Sequence, residues 1–173
     1  MQKFMLIYGL AAGAISIVPL LVTMIISGKP GGGSMVVGYT IMLVALSLIF
    51  VAVKRFRDRV RGGVISFPHG LGLGLGIAAV AGITYTIFWD VYLTVTGIDF
   101  IGEYTASVIE KKRASGADAA AMETIKQQME VMKKNYANPL WRLPMTFMEI
   151  FPVGVVVSLV SAFALRNPKG ARK

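Results

Sequence analysis

The chain has no cysteine, which excludes disulfides, thiolate catalysis and cysteine-based metal sites. It has one histidine, His69, so a metal site built from several imidazoles cannot form within one chain. Charge is scarce too: 16% of residues are Asp, Glu, Lys or Arg, against about 25% in an ordinary soluble domain. What is present is mostly apolar, 55% of the 173 residues with a mean hydropathy of +0.65. That balance points to a small polytopic membrane protein rather than one soluble core.

Four apolar runs reach the length of about 20 residues needed to cross a bilayer. They cover residues 4–27, 35–53, 71–96 and 143–165. Backbone groups in lipid must be bonded within their own segment, so each run is expected to be an α-helix. The first run exceeds the apolar core of a signal peptide, about 7–15 residues, and no small-x-small cleavage pattern follows it. It is therefore read as a retained helix, kinked at Pro19.

Net charge is +9, but the basic residues flank the apolar runs instead of forming a basic face interleaved with aromatics. Membrane orientation explains that placement better than nucleic-acid binding, and no nucleic-acid partner is expected. Lys54, Arg55, Arg57, Arg59 and Arg61 lie between the second and third runs, in KRFRDRVRGG. Arg166, Lys169, Arg172 and Lys173 follow the fourth, whereas the first loop carries only Lys29. The expected localisation is a bacterial inner membrane, multi-pass, with both termini and the middle loop cytoplasmic. The basic loop serves as a topology determinant and can also bind anionic lipid headgroups, at about 1 kcal/mol per cation near an anionic surface.

Residues 97–138 form a polar segment whose charges cancel. Met122, Ile125, Met129, Met132 and Tyr136 recur at alternating spacings of three and four, the seam of an amphipathic helix. Ser115 and Asp118 stand where a cap would start it, after the breaker Gly116. Ile101, Tyr104, Val108 and Lys111 allow a second helix, read as an outward continuation of the third span. Together these predict an external helical hairpin with its tip at RASGAD, closed by Asn138-Pro139. The seam packs on the other arm or on a neighbouring subunit, or offers a pliable surface to a periplasmic or membrane partner.

The third run carries small residues four apart, Gly74, Ala78 and Gly82, and the row continues through Thr86 to Asp90. Such spacing lets helix backbones approach closely. These glycines follow no strand and lead to no Gly-Lys-Ser/Thr ending, so they are not a phosphate loop. The fourth run has a small stripe of Gly154, Ser158 and Ala162, with Glu149 nearly opposite Ser158 at about 100° per residue. One protomer hardly covers every such face, which favours a homo-oligomer.

Asp90 and Glu149 are the two carboxylates inside apolar runs, where an unpaired charge is costly. The topology sets each of them about 6–9 Å from the outer end of its helix at 1.5 Å per residue. Three readings stand. Structurally, either carboxylate pairs with Arg142 or accepts hydrogen bonds from Tyr85, Tyr39 or Thr86. In a transport role, one of them carries a proton or binds a cation in an outward cavity. As an acid–base pair they lack a nucleophile, metal set or second histidine, so no enzyme and no cofactor is expected. Pro152 removes a helix hydrogen bond beside Glu149 and marks the outer part of the fourth span as the movable element. His69, in SFPHG, is a solvated helix-start residue or a proton relay.

The stretches RGGVISFPHGLGLGLGIAAVAGITYTIFWDVY and TFMEIFPVGVVVSLVSA resemble an uncharacterised bacterial membrane family, domain of unknown function forty-one ninety-nine. The resemblance covers most of the chain and implies a four-helix inner-membrane protein, with no substrate or site residues to carry over. The expectation is thus an all-α, four-span protein with a helical hairpin between helices three and four. It is expected to act as a scaffold or accessory subunit in homo-oligomers, the alternative being a small proton- or ion-coupled transporter or channel using Glu149 and Asp90.

Overall fold

The computed structural model describes residues 1–27 and 35–167. The first loop with Lys29, and Lys169, Arg172 and Lys173, lie outside the described residues. Seven helices follow in order: α1 Gln2–Ser27, α2 Met35–Leu46, α3 Leu48–Val60, α4 Phe67–Thr96, α5 Phe100–Ala114, α6 Ala119–Ala137 and α7 Pro139–Leu165. Four segments are long and apolar enough to cross a membrane: α1, α2 with α3, α4 and α7. No strand occurs among the described residues.

The second span is interrupted where an unbroken helix was expected. At Ser47 the backbone N–H is shared between the carbonyls of Leu43 (3.0 Å) and Val44 (3.2 Å), and the hydroxyl donates to Val44 O at 2.6 Å. A serine hydroxyl competing for the same carbonyl tightens the turn locally. The span also runs past the expected limit at residue 53. Lys54, Arg55, Arg57 and Arg59 lie on α3 itself, and Arg61 is its C-cap. Cations at a helix C-terminus complement its dipole, which helps carry the helix through the polar stretch. Gly62 and Gly63, at φ +61° and +88°, then turn the chain, with Gly63 N–H donating to Arg57 O at 2.9 Å.

The third span starts earlier than expected, at Phe67, with Ser66 as N-cap and Pro68 in the first turn. The fourth starts at Pro139 instead of near residue 143, because Asn138 caps it by accepting from Leu140 N–H at 3.0 Å. The polar segment departs from expectation at its start. α5 does not continue α4: Gly97 adopts φ +64° and closes α4, and Asp99 opens a new helix by accepting from Gly102 N–H. The hairpin tip follows RASGAD, with Gly116 at φ +79° and Asp118 accepting from Ala121 N–H at 2.7 Å. On α6, Met122, Ile125, Met129 and Met132 are half-buried, as is Asn135, and Tyr136 is buried; they mark the predicted seam, on a helix that packs against α5 and α7.

α4 is the central helix and presents two opposite faces. Along one, residue numbers rise by four on α4 while they fall by four on α7: Gly70 meets Ala162, Gly74 meets Ser158 and Ala78 meets Gly154. Gly82 comes next, against the Phe147 ring, and the row ends where Asp90 meets Arg142. Along the other face both numbers rise together. Met5 packs on Gly76, Gly9 on Val80 and Gly13 on Thr84. α1 and α4 are thus parallel, and α4 and α7 antiparallel. The contact of Ala78 with Gly154 leaves no room for larger atoms: a Cβ on Gly154 would lie 2.6 Å from that of Ala78. The small-residue row predicted for helix packing is therefore used inside one protomer, between spans three and four.

Candidate functional site

The bundle has a basic end and a hairpin end. At the basic end Asn167 N–H bonds Ile65 O at 3.1 Å, Arg55 donates to the Tyr8 hydroxyl at 3.0 Å, and Phe4 packs edge-on against Phe56 at 5.4 Å. Lys54, Arg55 and Arg59 line a cleft of about 400 Å³ with Phe50, Val51 and Asp58. Arg57 does not join them; it pairs with Asp58 at 2.7 Å. His69 is exposed and shares a 2.8 Å hydrogen bond with the Ser66 hydroxyl, a local helix-start contact.

The two carboxylates of the span-like helices lie at the hairpin end, in different surroundings. Asp90, on α4, is held by Arg142 of α7: Nε donates to Oδ1 at 2.9 Å, and Nη2 reaches the same oxygen. The arginine is mostly enclosed and the aspartate partly so, at 16% and 30% side-chain exposure. Arg142 also lies over the Tyr136 ring at 6.0 Å, a cation–π contact. Of the partners proposed for the carboxylates, Arg142 thus goes to Asp90. Thr86 stands one turn below Asp90 on the α4 face and is buried, its hydroxyl without a hydrogen-bond partner among the described residues. The register brings it level with Thr146, which lies beside the Tyr136 phenol.

Glu149 has a different fate. No ion pair reaches it among the described residues. Its side chain is accessible and forms part of the wall of two adjoining cavities, of about 320 and 300 Å³. The larger is framed by α1, α2 and α4 and roofed by α5, with Ser16, Thr23, Tyr85, Trp89, Tyr104 and Lys111 among its lining. The smaller opens between α2 and the hairpin, where Tyr39, Met42, Met132 and Met145 face Glu149. Tyr85 is buried and lines the larger cavity with Glu149, while Tyr39 is half exposed at the edge of the smaller. Pro152 has no N–H, so the Met148 carbonyl beside Glu149 loses its helix donor.

Tyr136 joins these two surroundings. Its hydroxyl accepts from Trp89 Nε1 at 2.6 Å, and its ring contacts Phe100 at 6.1 Å, itself edge-on to Trp89 at 4.9 Å. Burial pushes the Tyr136 phenol up from its ordinary value and the nearby Glu149 carboxylate adds to that, while the Trp89 hydrogen bond works against it. The phenol therefore stays protonated and neutral at physiological pH. The sequence marked Tyr136 only as the last residue of the seam. Its place as the junction of hairpin and bundle was not predicted, nor was Lys111 as a lining residue. The usable signal was Trp89, whose indole N–H needs a partner when buried.

In chemical terms, one carboxylate is neutralised and fixed by an arginine, and the other faces a cavity with no ion pair to it among the described residues. Among the described residues, no group of three or more His, Cys, Asp or Glu side chains is placed to hold a metal ion. Fold and site together define an all-helical protein with four membrane-span-like helices and a polar helical hairpin at one end. Residues 7–167 match the family described as protein of unknown function (DUF4199), and the chain belongs to that family. No curated protein and no solved structure matches it.

Proposed function

We propose that this is a non-enzymatic inner-membrane protein that binds a cation at Glu149 in a cavity facing away from the cytoplasm, as a small ion- or proton-coupled transporter or channel. The observation that carries this reading is the contrast between the two carboxylates. Asp90 has its arginine, whereas Glu149 stands in a cavity wall with no ion pair among the described residues. A carboxylate at membrane depth is costly without a counter-charge, a proton or water, and a cavity supplies access to all three.

The reading as a scaffold or accessory subunit in homo-oligomers draws on the exposed apolar faces of α1 and α7, such as Ile7, Val156, Val160 and Phe163. Lipid covers such faces equally well. The small rows and the methionine seam that argued for assembly are both occupied within the protomer. The cation-binding reading is therefore favoured, with assembly a matter of copy number. The cluster of Lys54, Arg55 and Arg59 would hold this end of the bundle against anionic headgroups.

The test is flux in reconstituted vesicles. Under an imposed proton or sodium gradient the wild-type protein is expected to dissipate the gradient, and Glu149→Gln to abolish this while leaving helix content and native mass unchanged. A wild type that carries no flux above empty vesicles, or a Glu149→Gln variant as active as wild type, would sink the reading.

A further inference from the structure

The walls around Glu149 say more about the cation than its charge. Five aromatic rings line the larger cavity with it: Tyr85, Trp89, Phe100, Tyr104 and Tyr136. Four of them form a connected set, with Phe100 edge-on to Trp89 at 4.9 Å, stacked on Tyr104 at 6.2 Å and against Tyr136 at 6.1 Å. An inorganic cation of the hard type requires about six to eight oxygen ligands in its shell. The opposite wall is mostly apolar, with Leu20, Met24, Val37, Ile41 and Met42, and its two hydroxyls, Ser16 and Thr23, donate to the backbone carbonyls of Ala12 and Pro19. A space of about 320 Å³ is also far larger than a bare ion needs and falls at the small end of organic-ligand pockets.

Resting on the cation-binding reading above, we propose that this cavity is a binding site for a small organic ammonium ion with an apolar body. The ammonium group faces the Glu149 carboxylate and the aromatic rings, and the apolar part lies on the α1 and α2 wall. Aromatic faces attract such an ion through their quadrupoles, most strongly where water is scarce. Its methyl or methylene groups need no oxygen shell. Lys111 is the cation among the lining residues, on the last turn of α5. It lies eleven residues along α5 from Phe100, about 16 Å at the rise of a helix, and so repels the ligand from the far end of the cavity.

The full chain in phosphatidylcholine nanodiscs supplies the test, by equilibrium dialysis against benzyltrimethylammonium and its neutral carbon isostere, neopentylbenzene. Saturable binding of the ammonium ion is expected, with weaker binding of the isostere. Glu149→Gln should lower ammonium affinity by about tenfold or more, as for loss of a charged contact. Tyr104→Leu should lower it by about threefold to tenfold. Lys111→Met should tighten it. These variants are compared only where circular dichroism and native mass match wild type. Equal binding of both probes, or ammonium affinity unchanged in Glu149→Gln, overturns the proposal. Weaker binding in Lys111→Met also overturns it, since removing a like charge should not weaken a cation held beside Glu149. Glu149-dependent proton or sodium flux without ammonium binding removes this inference and leaves the cation-binding reading standing. Ammonium binding without any flux leaves this inference and the cation site standing and removes the transport role.

Discussion

Arg142 decides what the two intramembrane carboxylates are. It lies on α7, the same helix as Glu149, yet it pairs across the interface with Asp90. Removing one partner of an enclosed ion pair leaves the other charge stranded, which costs more than removing both. Asp90→Asn is expected to destabilise the protein by about 1–3 kcal/mol, below the cost of breaking a fully buried pair because both side chains keep some exposure. The double replacement Asp90→Leu with Arg142→Leu should cost less than Asp90→Asn alone. Thermal unfolding in detergent, followed by circular dichroism, checks both; a double variant less stable than the single one would mean the pair is worth more than its desolvation. At this scale the sequence was legible in part. It brought Asp90 and Glu149 to one depth and named Arg142 as a partner. It did not assign the arginine to one carboxylate, because that depends on side-chain reach across two helices. Tyr136 was missed as a junction for the same reason, since its partner Trp89 is remote in sequence.

Among the elements, α4 carries the architecture, and its glycines are not equivalent. A Cβ on Gly154 of α7 would press on Ala78 of α4 at 2.6 Å, and one on Gly82 would press on the Phe147 ring at 2.6 Å. By contrast, a Cβ on Gly72 meets nothing within 4 Å. Gly154→Ala is expected to cost about 1–3 kcal/mol through overpacking. Gly72→Ala should be neutral or stabilise by about 0.5–1 kcal/mol, the helix-interior penalty of glycine. Equal stability of the two variants in the same unfolding experiment would contradict the close approach of α4 and α7. The spacing of four made the small-residue face readable from sequence. Its partner helix was not readable, and the sequence reading favoured a homo-oligomer to cover such faces. The interruption at Ser47 left no sequence signal, since a serine in a span commonly bonds back to its own helix without breaking it. The early starts of α4 and α7 arose because proline in a first turn extends a helix into what looks like loop.

For the whole molecule, the parallel packing of α1 on α4 and the antiparallel packing of α7 on α4 collect the hairpin at one end and the basic residues at the other. The basic end is expected to face the cytoplasm. Because the chain has no cysteine, single cysteines can be introduced without altering a background. One at Ala117, in the hairpin tip, should react with a membrane-impermeant maleimide in intact spheroplasts. One at Gly63, in the turn after α3, should react only after permeabilisation. Labelling in the opposite order would invert the topology and place the Glu149 cavity on the cytoplasmic side.

The register between α4 and α7 also governs how sequences of this family can drift. Space between two backbones is shared, so a methyl group gained on one helix has to be given up at the facing position on the other. Residues 74 and 158, and residues 78 and 154, should therefore trade volume among homologues, small against larger and the reverse. Residues 38 and 72, whose Cβ positions are open, should vary independently of any partner. An alignment in which volumes at 78 and 154 fluctuate without correlation would mean that relatives rebuild this contact rather than inherit it.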